Sequence, residues 1–244
     1  MEHFPRNHCA FPRPPVDRLY TASRTRGNTF PIQVIDIDWG SLITKRPIIL
    51  ATVENMPNYL LHPEVITLLE QEAHPTYRLI MDLMWTLGAR VSEVLALRPI
   101  DFIDDGYDVG VILHSLKQGG GRPTNSQKKR YPRRYIPIKE PLLIDRLNTY
   151  LAEHPCRKNR RMFTMCRQTV NRHINSLVDR IGQMPVPISA NTFRHSFAVH
   201  LMLHGRPLKY ISQLLGHKSI ESTEIYTNVL NSDSRHFLEG IDFH

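Results

Sequence analysis

The sequence predicts a mainly α-helical fold that carries one small antiparallel β-sheet, an α+β arrangement. Helical periodicity begins near residue 63 and returns in most of the later segments. A single pair of alternating, β-rich stretches interrupts it, and a long loop rich in glycine and basic residues separates the two stretches. With 244 residues, 41% of them hydrophobic, the chain is long enough to bury a substantial core.

The first helices are predicted from apolar spacing. "PEVITLLEQEA" places Pro63 in a first helical turn, where proline is accepted. "TYRLIMDLMWTLGAR" spaces its apolar residues by three and four, which predicts an amphipathic helix with Trp85 as a packing residue. "VSEVLALRPIDF" is expected to resume helix before "DDG" turns the chain.

A hairpin follows, and then more helices. "YDVGVILHSLK" and "RRYIPI" are predicted strands, and the loop "QGGGRPTNSQKKRYP" gives the hairpin a positively charged tip. Gly216 suits a helix C-terminus and Ser219 an N-cap, which predicts a break between two helices. The predicted helices of this region span 140–153, 166–182, 191–204, 207–215 and 219–229.

Residues 1–62 are expected to form an N-terminal extension, 63–230 the main domain, and 231–244 a tail. Proline and arginine dominate residues 1–30, which predicts an extended or flexible basic arm. The apolar runs "FPIQVIDIDW" and "KRPIILATVENMP" are expected to be strands or extended segments laid on the core.

The charge balance predicts a polyanionic partner. Thirty-one Lys and Arg residues against 23 Asp and Glu give a net charge of +8, and the basic residues form clusters such as "KKRYPRR" and "RKNRR". Several clusters in one chain favour nucleic acid as the partner. The candidate DNA-contacting residues of the hairpin are Lys128, Lys129, Arg130, Arg133 and Arg134.

The sequence favours neither a metal site nor a membrane location. Its 3 cysteines share no metal-ligand spacing and are too few for a disulfide scaffold. His200 and His204 stand at i and i+4, but "HLMLH" lacks the glutamate of a zinc-protease motif. No signal segment or apolar span is visible, so we expect a soluble, cytoplasmic, nucleoid-associated protein without a cofactor.

Four stretches concentrate chemically useful residues. "LGARVSEVLAL" places Arg90 at a helix junction, and "LHSLKQGGG" places Lys117 at the base of the glycine loop. "ISANTFRHSFA" places Arg194 early in an apolar helix. "LLGHKSIESTEIYT" supplies His217 and Tyr226, which would point to opposite sides of one unbroken helix. The predicted break is therefore what allows these two side chains to serve one site.

The order and the residues of these stretches resemble the catalytic domain of the tyrosine recombinase (phage integrase) family over residues 63–230. The specific part is "RHSFA", then "LGH", then a tyrosine nine residues after the histidine. The resemblance implies that family's fold. It also implies a site-specific recombinase that cuts and rejoins duplex DNA through a 3′-phosphotyrosine. Such an enzyme would act without a cofactor, as a tetramer on paired sites, with accessory DNA-bending proteins as further candidate partners.

The same resemblance implies a role for each residue. Arg90 and Arg194 would bind the non-bridging phosphate oxygens, Lys117 would protonate the departing 5′ oxygen, and His217 would donate to the phosphate. Tyr226 would be the nucleophile. Taken one at a time, the arginines would more simply be surface ion-pair residues, and Tyr226 a buried tyrosine with a satisfied hydroxyl.

One position departs from the family pattern. Asn191 stands where the family usually has a histidine, and asparagine hydrogen-bonds but cannot act as a base. A non-catalytic or weakly active DNA-binding relative therefore stays open as an alternative, as does a nicking-closing enzyme of the type IB topoisomerase kind. His195, which also occurs in the family pattern, is interpreted as a support for its helix rather than as the missing base.

Three further questions stay open. Lys128 or Lys129 is the alternative to Lys117 as the acid. The family's N-terminal core-binding domain is not evident, so the chain resembles the compact recombinases, with the basic arm replacing part of the DNA clamp. The apolar tail is expected to pack either on a neighbouring subunit or on its own domain. Integration, excision, inversion and resolution are equally compatible with the sequence.

Overall fold

The computed structural model describes residues 36–104, 106, 108–115 and 133–231. Within them, the fold is mainly helical with one small sheet, as the sequence predicts. Two short 3-10 segments, Pro99–Asp101 and Ile225–Thr227, join neighbouring elements. The helices are Trp39–Thr52 (α1), His62–Glu70 (α2), Pro75–Leu87 (α3), Val91–Val94 (α4), Pro141–Glu153 (α5), Arg167–Ile181 (α6), Ala190–Leu203 (α7), Leu208–Leu215 (α8), Glu221–Glu224 (α9) and Asn228–Asn231 (α10).

The sheet is antiparallel, with the order β1-β2-β3. Its strands are Phe102–Asp104 (β1), Val109–His114 (β2) and Arg133–Ile138 (β3). The predicted hairpin is confirmed by the β2–β3 pairing, in which Val109 lies opposite Ile138 and His114 opposite Arg133. The loop that joins β2 to β3, with Lys117, Lys128, Lys129 and Arg130, lies outside the described residues.

The expectation of a continuous helix over "VSEVLALRPIDF" is wrong in its second half. Helix α4 ends at Val94, and Phe102–Asp104 pairs with β2 instead. Pro99 explains the change, because its ring disfavours helical backbone at the residue before it. Arg98 is accordingly extended, with φ −126° and ψ 154°.

The expectation of strand or extended chain over "KRPIILATVENMP" is also wrong, because α1 runs through this stretch to Thr52. Asp38 caps the helix by accepting the Ser41 N–H at 3.0 Å. Arg46, only 2% exposed, donates to Glu64 of α2 with Nη2 2.7 Å from Oε1. This buried ion pair fixes α1 on the core, although Pro47 removes one hydrogen bond from within the helix. The described fold therefore includes residues that precede 63.

Helix α7 connects two hydrophobic clusters. The larger cluster gathers residues of α2 to α6 and the sheet, and Phe193 of α7 belongs to it. The smaller cluster joins α1, α7, α8 and the segment around Tyr226, and it includes Leu42, Phe197 and Leu215. Trp85 packs against both, as predicted. The described helices include none long and apolar enough to cross a membrane.

Aromatic and histidine rings fill the junction of α1, α2, α3 and α7. His200 stacks on His62 with ring centroids 5.2 Å apart and contacts Trp85 at 5.1 Å. Burial, then the neighbouring His204 and His62, lower the pKa of His200 to about 3. Among the described residues, its Nδ1 has no hydrogen-bond partner. In that same part of the chain, no group of three or more His, Cys, Asp or Glu residues is placed to hold a metal.

We expect the protein to lose stability in mild acid through His200. Its folded pKa of about 3 lies below the value of about 6.5 in an unfolded chain. Its contribution to stability is therefore complete above pH ~6.5 and is lost as the pH falls toward 3. Thermal melts between pH 7.5 and 4.5 should show a smaller fall in Tm for His200→Phe than for the natural chain. Equal slopes for His200→Phe and the natural chain would contradict the prediction.

Candidate active site

The site is built around the C-terminal end of α8. Gly216 ends this helix in the left-handed conformation, with φ 66°, as the sequence predicts. The last carbonyls of a helix lack partners within it and carry its negative end. Here two arginines act as the missing partners. Arg134 Nε donates to the Leu214 carbonyl and Arg194 Nη2 donates to the Leu215 carbonyl, each at 2.7 Å. Strand β3 and helix α7 are thereby joined to one turn.

Arg194 is a buried cation held by backbone. It is 4% exposed, and its Nη1 donates to the Gly88 carbonyl at 2.7 Å. Burial, reinforced by the positive charge of Arg90, lowers its pKa to about 9. The guanidinium therefore stays charged at neutral pH. Gly88 has φ 57°, and a Cβ there would lie 2.2 Å from the Phe197 ring, so only glycine fits this contact.

Glu93 connects the two other arginines of the site. It is 2% exposed, and its carboxylate accepts from Arg134 Nη1 at 3.0 Å and Nη2 at 2.6 Å. It also accepts from the Arg90 N–H at 2.9 Å and from Arg90 Nη1 at 3.2 Å. Burial pushes the pKa of Glu93 up, but hydrogen bonds and charge from Arg134 and Arg90 outweigh it, and the net pKa is lowered. An ionised Glu93 thus orients Arg90.

His217 and Tyr226 lie on the two sides of the predicted helix break. His217 Nδ1 lies 2.7 Å from Thr223 Oγ1, which ties the turn after α8 to α9. Burial, then the charges of Arg194 and Arg90, lower the pKa of His217 to about 4. The imidazole is therefore neutral at physiological pH.

Tyr226 is 2% exposed and belongs to the smaller hydrophobic cluster. Its hydroxyl oxygen lies 2.7 Å from His195 Nδ1. Burial raises the pKa of the phenol to about 12, against the opposing charges of Arg194 and Arg90. The hydroxyl is thus satisfied and protonated, and it lies within the field of both arginines.

Asn191 and Arg90 line a cavity next to this group. The cavity has a volume of about 550 Å³, and its walls include Arg167, Asn171 and Arg172 of α6. Asn191 is exposed on the first turn of α7. Its amide and the three guanidiniums make the cavity polar and positively charged.

The structure thus brings Arg90, Arg194, His217 and Tyr226 together, with Asn191 at the edge. Arg133 is exposed, as a DNA contact requires. Arg134 is not suited to that role, because its side chain is 10% exposed and its guanidinium is occupied by Glu93 and the Leu214 carbonyl. We therefore assign Arg134 a structural role.

Sequence reasoning missed Glu93 and the contact of His195 with Tyr226. Glu93 had a local signal: a glutamate three residues after a helix boundary commonly accepts a hydrogen bond from that boundary N–H. For His195, the family pattern indicated the residue but not this contact, which joins residues 31 positions apart.

Comparison with known proteins gives a consistent result. The family model described as "Phage integrase family" matches residues 59–233. A resolvase of Escherichia coli (strain K12) is 32% identical over 203 residues, which cover 74% of this chain and 74% of the relative.

Solved structures share the fold. The crystal structure of XerA recombinase superposes with a TM-score of 0.61 at 23% identity, over 75% of this chain and 66% of that one. XerH site-specific recombinase, in a pre-cleavage complex with difH substrate, gives a TM-score of 0.55 at 21% identity, over 76% of this chain and 55% of that one.

The structural role of Arg134 predicts a sharp difference between two neighbouring positions. Arg134→Lys removes one arm of the bidentate contact and leaves Glu93 partly unpaired, which should lower the free energy of unfolding by roughly 1–3 kcal/mol. Arg133→Lys changes an exposed side chain and should stay within about 0.5 kcal/mol of the natural chain. Urea unfolding measures both, and equal losses would contradict this assignment.

Proposed function

This chain belongs to the phage integrase family and is a tyrosine-type site-specific recombinase that breaks and rejoins DNA, and from that premise we propose that Tyr226 is its nucleophile. The tyrosine would form a 3′-phosphotyrosine with duplex DNA. The observation that carries this proposal is the position of the Tyr226 hydroxyl. It is hydrogen-bonded to His195 and lies within the field of Arg194 and Arg90, rather than facing only apolar side chains.

The arginines are suited to stabilise charge on the attacked phosphate. A guanidinium has five N–H donors, and two of those of Arg194 are occupied by the Gly88 and Leu215 carbonyls. The remaining donors can bind a non-bridging oxygen, and the carbonyls keep the group fixed before the substrate arrives. Arg90, held by Glu93 with its side chain 33% exposed, would bind from the open side. Such preorganised charge commonly provides the largest part of catalysis.

His217 would complete the phosphate contacts. Its Nδ1 is engaged by Thr223 Oγ1, which leaves Nε2 to donate to a phosphate oxygen. Lys117 would protonate the departing 5′ oxygen from the hairpin, with Lys128 or Lys129 as the alternative. The covalent phosphotyrosine keeps the energy of the broken phosphodiester, so that rejoining needs no ATP.

The packing around Tyr226 must open before the phenol can react. A side chain that is 2% exposed is closed to a DNA phosphate. The segment that carries it is short and weakly helical, since α9 and α10 have 4 residues each and a 3-10 segment of 3 residues joins them. We expect DNA binding to loosen the packing around this segment and to bring a phosphate to the Tyr226 hydroxyl beside Arg90 and Arg194, with the contact to His195 kept.

The partner would be duplex DNA that carries a specific recombination site. The net charge of +8 and the exposed Arg133 support a phosphate-binding surface. Similarity to a resolvase over most of its length favours resolution of a plasmid or element as the outcome. A tetramer on paired sites, assisted by DNA-bending proteins in the cytoplasm, would perform the exchange.

Covalent trapping tests the nucleophile. A pool of duplexes with randomised sequence, each nicked near its centre, supplies a substrate from which a cleaved strand cannot be rejoined. We expect the natural chain to form a complex that resists detergent and is destroyed by protease. Tyr226→Phe should form none, while Tyr210→Phe, at an exposed tyrosine of α8, should form the normal amount. Trapping by Tyr226→Phe would refute the assignment.

The trapped sequences then distinguish the remaining alternatives. Placed twice on a supercoiled plasmid, the selected site should yield recombinant circles. Relaxation without recombination would favour a nicking-closing enzyme. Specific binding without trapping would favour a weakly active relative, which the amide at Asn191 makes a real alternative.

The role of Lys117 is open to a chemical test. Replacing the 5′ bridging oxygen by sulfur gives a leaving group that needs no proton. Lys117→Ala should therefore slow cleavage of the normal duplex by roughly 10²–10⁴-fold and cleave the sulfur duplex near the natural rate. Lys128→Ala and Lys129→Ala would weaken phosphate contacts to both duplexes alike, so the ratio of the two cleavage rates should stay that of the natural chain. Selective rescue of one of these variants by sulfur, in place of Lys117→Ala, would transfer the role to that lysine.

A further inference from the structure

His195 makes a direct contact with the proposed nucleophile. Its Nδ1 lies 2.7 Å from the Tyr226 hydroxyl oxygen, within hydrogen-bond distance and within the reach expected of a general base. Burial, then the adjacent Arg194, lower the pKa of His195 to about 4, so the imidazole is neutral at physiological pH. With the imidazole proton on Nε2, Nδ1 accepts the hydrogen bond of the phenol, which its pKa of about 12 keeps protonated.

The position of His195 on α7 compensates for the residue at 191. Residues four apart lie one above the other on the same helix face. Asn191 is exposed on the first turn of that face and carries an amide that cannot accept a proton near neutral pH. One turn further along the same face, His195 reaches Tyr226. His195, which can accept a proton, therefore lies on this face one turn after Asn191, which cannot.

We propose that His195 Nδ1 takes the proton of the Tyr226 hydroxyl as that oxygen attacks the DNA phosphate, an inference that rests on the proposed function. The bond between the Tyr226 oxygen and phosphorus forms while the bond between phosphorus and the 5′ oxygen breaks. The phenolic proton moves to Nδ1, and the 5′ oxygen receives a proton from the acid on the hairpin. In the rejoining step the 5′ hydroxyl attacks, and His195 returns its proton to the departing Tyr226 oxygen.

The charges around His195 make it a better base when DNA is present. It faces Arg194 of its own helix, Tyr226 of the 3-10 segment and His217 of the turn after α8, with Arg90 acting on the last two. A bound phosphate brings negative charge to Arg194 and Arg90. It thereby offsets the repulsion that disfavours a second cation at His195. The base is weak in the free protein and is strengthened by its own substrate.

The decisive variant is His195→Asn in the full chain. The amide oxygen of asparagine can occupy a position near that of Nδ1 and accept the phenolic hydrogen bond, but it cannot take up the proton. His204→Asn is the matched control, since it makes the same change at the residue that caps the C-terminal end of the same helix, away from the site. Circular dichroism melting and gel-shift titration check folding and DNA affinity, and both should stay close to those of the natural chain.

Single-turnover cleavage of the selected nicked duplex gives the result. We expect His195→Asn to be slower by roughly 10²–10⁴-fold, whereas His204→Asn is unchanged. Between pH 6 and 9 the cleavage rate of His195→Asn should rise more steeply with pH than that of the natural chain, because in this variant the phenol must ionise without a base. The duplex with a sulfur leaving group should not restore the cleavage rate of His195→Asn, although it should restore that of Lys117→Ala.

Two results would overturn the proposal, and they differ in what they leave standing. If His195→Asn cleaves within about threefold of the natural rate and with the same pH profile, His195 is not the base, and the assignment of Tyr226 as the nucleophile still stands. Failure of the natural chain to trap DNA removes the proposed function as well. Should His195→Asn not fold, His195→Ala with added imidazole decides the question, since rescue that grows with imidazole concentration supports the proposal and its absence contradicts it.

Discussion

The structure depends on how a buried guanidinium is satisfied at the end of α8. Removing a cation from water is unfavourable unless fixed polar groups replace the solvent. For Arg194 those groups are the carbonyls of Gly88 and Leu215, both backbone atoms at the ends of helices. Both helices end in a glycine with positive φ, which turns the chain so that the carbonyl faces the cation. The burial of the Arg194 cation and the conformation of the two glycine turns therefore depend on each other.

The same arrangement connects elements that are distant in sequence. Arg134 donates to the carbonyl that precedes the one held by Arg194, and through Glu93 it reaches Arg90. Gly216 leaves room for this contact, because a Cβ there would lie 3.1 Å from Arg134 Nη1. Hairpin, α4, α7 and the turn after α8 thus share one hydrogen-bonded network. Under the proposed function, this network would fix Arg90 and Arg194 around a phosphate before DNA is bound.

Much of the fold and of the site follows from local sequence signals, and the failures have identifiable causes. Apolar spacing predicts α3 and the hairpin, and Gly216 predicts the break that lets His217 and Tyr226 lie near the same two arginines, Arg90 and Arg194. The apolar run around Pro47 does not distinguish helix from strand, and its outcome depends on the pair of Arg46 with Glu64 across the core. The inward direction of Arg134 and the contact of His195 with Tyr226 arise from tertiary packing, which a list of motifs does not contain. Lys117 remains a prediction from sequence.

The smaller hydrophobic cluster contains both Leu42 of α1 and Tyr226. Helix α1 also contacts α10, the helix that follows the 3-10 segment of Tyr226. Under the proposed function, the apolar surface that joins α1 to the rest of the fold is therefore also the surface that must open before Tyr226 can react. Tighter packing around Tyr226 would raise the thermal stability and would also hinder the opening that cleavage requires. Substitutions that stabilise this surface would therefore slow the enzyme, and substitutions that speed it would lower its stability.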